Sequence, residues 1–285
     1  MAQALARAQE WSGDDTTVAE LEDALARLRD AADLRTSVMT HTAWVPEEWL
    51  EAARETLAGL AERHPSRTII LVPQPEDADS LDARVSLECF RLPGEERHVC
   101  SEVIELHLRG RRAAAPASIL LPLLLPDIPV FLRWRGHPPF GSDVLARLVD
   151  VVDRLVVDSR EWRGDFVRIA DYFDLTAVSD IAWARTLPWR AVLAGLWPDI
   201  VDAHELRVAG PRSEAALLVG WLRSRLGRGV GLLHEPAGEL EDVAVDGEQV
   251  PPPSGESRSP SDLLSDELDR FSRDRVYEEA VRGSP

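Results

Sequence analysis

The sequence predicts an α/β fold: a mixed sheet with flanking helices in the N-terminal part, and a mostly helical C-terminal part with a few short strands. Three observations lead there. From Thr17 to Val157, short runs of β-branched and apolar residues alternate with longer amphipathic segments, the pattern of strands packed against helices. Two of the runs, 85–90 and 99–108, flank Pro93-Gly94 and read as a hairpin, which adds an antiparallel part to the sheet. After Trp162 the strand pattern thins and helical spacing takes over.

In chain order, residues 1–15 read as a flexible N-terminus. Thr17 followed by Glu20 is a capping box that opens a helix to about Arg29. The β-branched residues in 35–45 make a strand. Pro46 starts a helix to about Arg63, with Trp49, Ala53, Leu57 and Leu60 near helical spacing, and His64-Pro65 ends it. A short buried strand at 68–72 precedes the hairpin. A helix near 114–125, a strand at 129–134, a helix at 142–149 and a strand at 154–157 complete an α/β domain over 16–160. The next domain, 161–246, is helical α+β. Its helices are expected over 164–173, 178–195 and 213–226, the last with Ser213 as N-cap and Gly227 as stop. Its strands are expected at 204–208 and 231–234. Residues 247–259 are rich in Pro, Ser and Gly and read as a linker. Ser259-Pro260 caps the helical tail 260–285, with Leu263, Leu264, Leu268 and Phe271 on one side. Ser272 is the expected cap of a short final helix carrying Tyr277.

Composition excludes several functions. The 285-residue chain has a net charge of −18 and a pI near 4.8, so binding driven by neutralising nucleic-acid phosphates or an anionic membrane surface is not expected. Its cationic side chains other than histidine are all Arg; with no Lys, Schiff-base chemistry and a phosphate-loop lysine are out. No N-terminal stretch has signal-peptide character. The longest apolar run, 119–125, is too short to span a bilayer and is broken by Pro122. Two cysteines fit a reducing cytoplasm better than a disulfide scaffold.

The motifs for chemistry are sparse. There is no Gly-x-Ser-x-Gly elbow and no His-Glu-x-x-His pair, and no histidine has a second ligand at i+3 or i+4. No catalytic residue, metal or cofactor is therefore expected. Gly227-Arg-Gly-Val-Gly231 follows a helix, whereas a dinucleotide loop follows a strand, so it reads as a helix stop and turn. His107, on a strand pattern, reads as a satisfied imidazole. His64 and Arg67 join a helix to a strand. Their functional reading is an anion contact; the structural reading, with Arg67 facing solvent, leads because helix C-termini repel anions. Arg109-Gly-Arg-Arg112 is a basic turn in an acidic chain. In a hairpin symmetric about Gly94 and Glu95, Cys89 lies opposite Cys100, within disulfide reach at about 4.5–5.5 Å between Cα atoms, a candidate redox pair against the alternative of two quiet thiols.

The most informative segments place Trp beside Arg: Arg133-Trp134-Arg135, then Trp183 with Arg185, then Trp189-Arg190. Trp and Arg dominate protein–protein hot spots. These seven residues are the candidate partner-binding set; the alternative is that the Trp rings are core and the Arg groups merely solvated. Trp189, in the first turn of a helix, is expected to lie under the 133–135 strand end and hold the guanidiniums in place.

In order and spacing, the motifs resemble the glucose-6-phosphate dehydrogenase assembly protein OpcA family. The resemblance runs from Asp15-Thr-Thr17 through Glu62-Arg-His-Pro-Ser-Arg-Thr-Ile-Ile70, Ser101-Glu-Val-Ile104 and Leu121-Pro-Leu-Leu-Leu-Pro-Asp-Ile-Pro-Val130. It continues with Trp134-Arg-Gly136, Asp158, Asp180-Ile-Ala-Trp-Ala-Arg185, Trp189-Arg190 and Leu217-Leu-Val-Gly-Trp-Leu-Arg-Ser-Arg-Leu226, and closes with Leu264-Ser-Asp-Glu-Leu268 and Arg275-Val-Tyr-Glu-Glu-Ala280. The resemblance implies a non-catalytic, cytoplasmic assembly or activator protein for glucose-6-phosphate dehydrogenase in the oxidative pentose phosphate pathway, acting by protein–protein binding. The alternative expectation is a sugar-phosphate-binding sensor, or a hydrolase or lactonase of the same pathway, with His64 and Arg67 as its anion contact. The stretch between Leu226 and the linker is shorter than the family's usual β-rich segment.

Overall fold

The computed structural model describes residues 9–30, 37–58, 60, 63, 64, 66–91, 98–255 and 258–285. They fall into two compact units, Met1–Leu155 and Val156–Pro285. The expected fold class holds.

The first unit contains β1 (Gln9–Gly13), α1 (Val18–Asp30), β2 (Thr40–Trp44), α2 (Leu50–Ala58), β3 (Arg67–Gln74), β4 (Leu81–Arg91), β5 (His98–Arg109), α3 (Pro116–Leu120), β6 (Val130–Trp134) and α4 (Asp143–Val149). Its strands run in the order β1-β4-β5-β3-β2-β6. Pairing is antiparallel from β1 to β5 and parallel from β5 to β6. The inner parallel strands are buried on both faces: every residue of β2 and β6 is buried. That is why β6 reads as a near-continuous apolar run rather than an alternation, while β2 buries Thr40, His41 and Thr42. Against one face Ala43, Val45, Ile70 and Val72 pack with Leu50 and Ala53 of α2. The capping box forms as expected, with Glu20 N donating to Thr17 Oγ1 at 3.2 Å and Thr17 N donating to Glu20 Oε2 at 2.9 Å.

Several elements differ from expectation. Residues 9–13 form an edge strand rather than loose chain. Gln-Glu-Trp-Ser-Gly offers no apolar alternation, and the pairing with β4 holds it. The helix after Pro46 begins as a 3-10 turn at Glu47–Trp49 before α2. The helix near 114–125 ends at Leu120 and tightens into a 3-10 turn at Leu121–Leu123, since Pro122 has no N–H to donate. The expected strand start at Arg35, the helix breaker Pro65 and the hairpin turn at Pro93-Gly94 lie outside the described residues.

The hairpin register is the one drawn from symmetry: Cys89 pairs with Cys100, Val85 with Ile104 and Leu87 with Glu102. Cys100 is buried and disulfide-bonded. A non-reducing digest of mildly oxidised protein should therefore yield one peptide joining Cys89 to Cys100 within a chain. Recovery of only separate or intermolecular cysteine products would reject this register.

In the second unit, β7 (Arg154–Val157) crosses the boundary between the units and neighbours β8 (Ala177–Asp180). There follow α5 (Ile181–Arg185), α6 (Leu187–Gly195), β9 (Glu205–Gly210), α7 (Arg212–Leu226), β10 (Gly231–Pro236), β11 (Asp242–Val245), β12 (Glu248–Gln249), α8 (Pro260–Leu268) and α9 (Arg275–Gly283). A small sheet orders as β10-β9-β11-β12. The helix expected over 178–195 is instead β8 followed by two helices. Asp180 caps the first, and the chain re-enters helix after Thr186 with Pro188 in the first turn. Residues 166–172 form 3-10 rather than α-helix. Pro211, not Ser213, is the N-cap of α7, and the Ser213 hydroxyl turns to Glu214 Oε2 at 2.9 Å. Gly227 stops that helix in the left-handed conformation, φ +64°. The expected linker contains β12 and the buried Val250. Asp274 rather than Ser272 caps α9, and Phe271 is 68% exposed rather than part of the apolar side of α8.

Every residue of α7 from Ser213 to Leu222 is buried, so no amphipathic stripe marks it. Helix α9 crosses it closely at Gly220. A Cβ there would run into the Ala280 carbonyl, and one at Gly283 would stand 2.6 Å from the Gly220 carbonyl oxygen.

Candidate functional site

In the first unit, β6 alternates faces along 133–135. Trp134 is 2% exposed and stacks on Trp44 across the strand pair, centroids 4.9 Å apart and planes at 15°. Arg133 is buried, with Nη1 donating to the Trp134 carbonyl. Arg135, at the strand end, is half-buried and lays its guanidinium 4.8 Å from the Trp49 ring centroid.

His64 and Arg67 are both buried. Arg67 does not face solvent. Its Nε donates to Glu102 Oε2 at 2.7 Å and its Nη1 to the Leu123 carbonyl at 2.6 Å. Arg29 binds the same carboxylate through Nε at 2.6 Å. Arg67 is thus a core ion pair whose charge Glu102 already answers. His41, on β2, was not singled out from sequence. It is 2% exposed, and burial first, then the charges of Arg133 and His64, lower its pKa to about 4, so it is neutral at physiological pH. His107 is satisfied, with Nε2 at 3.0 Å from Glu105 Oε1. The basic turn is paired as well, Arg109 with Asp82 at 3.1 Å and Arg111 with Asp79 at 2.5 Å.

In the second unit the Trp–Arg residues gather around acidic side chains that sequence reasoning left without roles. Asp180 Oδ1 accepts from Ala182 N at 2.9 Å and Ser159 N at 3.0 Å, and the Tyr277 hydroxyl lies 3.4 Å from Oδ2. Burial, then the charge of Asp158, pushes the Asp180 pKa up to about 7. Arg185 grips Asp158 with both Nη atoms at 2.8 Å. Trp183, 2% exposed, donates Nε1 to Asp274 Oδ2 at 2.9 Å, while Asp274 Oδ1 caps α9 through Tyr277 N at 3.0 Å. Arg190 lays its guanidinium 3.4 Å from the Trp183 ring centroid. Trp189, 4% exposed, donates Nε1 to the Leu240 carbonyl at 3.3 Å. Asp180, Trp183, Asp274 and Tyr277 thus fasten α5 to α9. The signal for Asp180 was in the sequence: an Asp directly before an apolar helical run is an N-cap.

Among the described residues, no group of three or more His, Cys, Asp or Glu is placed to hold a metal ion, and no helix is long and apolar enough to cross a membrane.

Two family models match the chain in order. Residues 58–172 match the glucose-6-phosphate dehydrogenase subunit N-terminal domain of OpcA, and residues 176–252 match the C-terminal domain of the same subunit. The chain belongs to the OpcA family. Three cyanobacterial relatives carry the name "Putative OxPP cycle protein OpcA". That of Synechocystis sp. is 26% identical over 188 residues, covering 59% of this chain and 38% of its own length. Those of Nostoc punctiforme and Synechococcus elongatus are 25% and 24% identical, again over 59% of this chain and 39% and 41% of theirs. This OpcA-family chain therefore spans about two-fifths of the length of these relatives. The N-terminal match takes in His64, Arg67 and 133–135. The C-terminal match takes in Asp180 through Arg190, whereas α8 and α9 lie beyond it.

Proposed function

We propose that this chain is a non-catalytic cytoplasmic partner of glucose-6-phosphate dehydrogenase in the oxidative pentose phosphate pathway, acting by protein–protein binding. The observation that carries the reading is the ordered match to both OpcA domains over most of residues 58–252. The arrangement of the polar side chains agrees with it. A lactonase or hydrolase needs a base and an anion cradle facing one cleft. Here the candidate anion contact, Arg67, is buried against Glu102, and Arg185 is held by Asp158. Such a partner acts by binding the active form of the dehydrogenase better than the inactive form; a tenfold shift needs about 1.4 kcal/mol of differential affinity.

Purified protein should turn over neither glucose 6-phosphate nor a sugar-phosphate lactone, and should raise the activity of the dehydrogenase from the same organism. Lactone hydrolysis above the spontaneous rate, or dehydrogenase activity that stays flat at every ratio of the two proteins, would contradict the reading.

A further inference from the structure

The outer face of α6 carries little charge. The chain is 29% charged, yet from Leu187 to Pro198 its one charged residue is Arg190. The inner side of the helix is core, with Trp189 and Leu193 buried. The opposite side is apolar too. Leu187 is 48% exposed, Trp197 65% and, in the 3-10 turn that follows, Val201 40%. Ala191 and Ala194 are exposed between them. Large apolar side chains with small ones between them leave apolar surface on this helix open to solvent, and an exposed apolar patch rimmed by polar residues marks an interaction site. Trp is the residue most enriched at binding hot spots.

A second, independent feature lies on the flank of this face. Arg190 donates Nε to Thr186 Oγ1 at 3.0 Å and Nη2 to the Trp183 carbonyl at 3.4 Å, and its guanidinium lies on the Trp183 ring. Its neighbours in this unit pair directly with carboxylates: Arg160 with Glu214 and Glu239, Arg185 with Asp158, Arg273 with Glu278. Among the described residues Arg190 has no carboxylate within ion-pair distance. Burial lowers its pKa to about 10, and Asp274 and Glu267 act on it only through their field. A half-buried guanidinium held still by stacking, with neutral hydrogen-bond partners only, is an acceptor-seeking group that has already lost side-chain freedom.

We propose that the outer face of α6 with Arg190 on its flank is the docking surface for the dehydrogenase, and that it receives an apolar segment of that enzyme whose carboxylate sits against Arg190. This rests on the functional reading above and adds the surface and the chemistry of the segment that fits it.

The double substitution Leu187→Ser and Trp197→Ser tests it, with Leu175→Ser as the control, since Leu175 is 63% exposed and precedes β8 rather than lying on α6. Affinity for the dehydrogenase is measured by isothermal titration calorimetry. Sedimentation of each variant alone reports its own assembly, and thermal unfolding its stability. Loss of one hot spot of about 2 kcal/mol is about a 30-fold loss of affinity, so the double variant should bind at least tenfold more weakly, at unchanged unfolding temperature, while the control binds like the parent. Arg190→Gln should weaken binding as well. If the parent binds and the double variant binds equally well, the proposed surface is wrong and the functional reading stands. If the parent self-associates, the double variant does not, and affinity for the dehydrogenase is unchanged, the face joins copies of this chain and the proposal is overturned. If the parent does not bind the dehydrogenase at all, the functional reading falls and takes this surface with it.

Discussion

Replacing Asp180 by Asn should remove a pH dependence of stability from this protein. The Asp180 carboxyl is pushed from its ordinary value of 3.8 up to about 7 by burial and by Asp158. The folded state therefore holds its proton more tightly than the unfolded chain does. Its contribution to stability is fully present below about pH 4 and is lost as pH rises through about 7. At 1.36 kcal/mol for each pH step, the loss is on the order of 4 kcal/mol. Asn reproduces the shape: its carbonyl can still accept from Ser159 N and Ala182 N, and its amide can face the Tyr277 hydroxyl. The difference in unfolding free energy between variant and parent should move in favour of the variant as pH rises from 5 to 8. Urea unfolding at four pH values reads this directly. Curves that stay parallel would mean that Asp180 does not titrate in this range.

Asp158→Ala should be among the most destabilising single changes in the second unit. It strips Arg185, whose side chain is only 20% exposed, of both hydrogen-bonded oxygens. Breaking such a pair from one side leaves a charge largely out of water and costs about 3–5 kcal/mol when fully buried, so about 3 kcal/mol is expected here. The double change Asp158→Asn with Arg185→Met should recover part of the loss, because no unpaired charge remains. Because the charge of Asp158 helps raise Asp180, removing it should also move the pH midpoint of the remaining profile downward. Equal stability of Asp158→Ala and parent would show that the pair contributes nothing measurable.

Much of the fold was legible for identifiable reasons. Strands buried on both faces give near-continuous apolar runs, which is why 68–72, 129–134 and 154–157 are legible close to their true limits. The capping box at Thr17 and Glu20 and the stop at Gly227 are local chemistry and survive any context. The elements that escaped depend on tertiary pairing. β1 has a polar sequence and exists because β4 offers it an edge. β8 is four residues long and runs straight into α5, so its signal merged with a helical one. The Pro-rich stretch after 246 holds β12 because its pairing with β11 and the burial of Val250 outweigh its composition.

The candidate site was legible by residue type and illegible by role. Trp beside Arg does mark the segments that matter to this fold, yet Trp134, Trp183 and Trp189 are core, and Arg133 is buried with them. Sequence shows which side chains are large and adaptable but not which acids meet them from far along the chain. Asp274 reaches Trp183 across 91 positions, and no spacing rule predicts that. Of the seven candidates, Arg190 borders exposed apolar surface, the outer side of α6, whose character is hidden in sequence because the spacing reads as one helix from 178 to 195.

If this protein works by binding the dehydrogenase rather than by chemistry of its own, the two chains form a complex in solution. Sedimentation velocity of the dehydrogenase with increasing amounts of this protein reads that complex. A faster-sedimenting species that contains both chains, grows with added protein and saturates at a fixed ratio is expected. Two species that sediment independently at every ratio, at concentrations well above the physiological range, would contradict it.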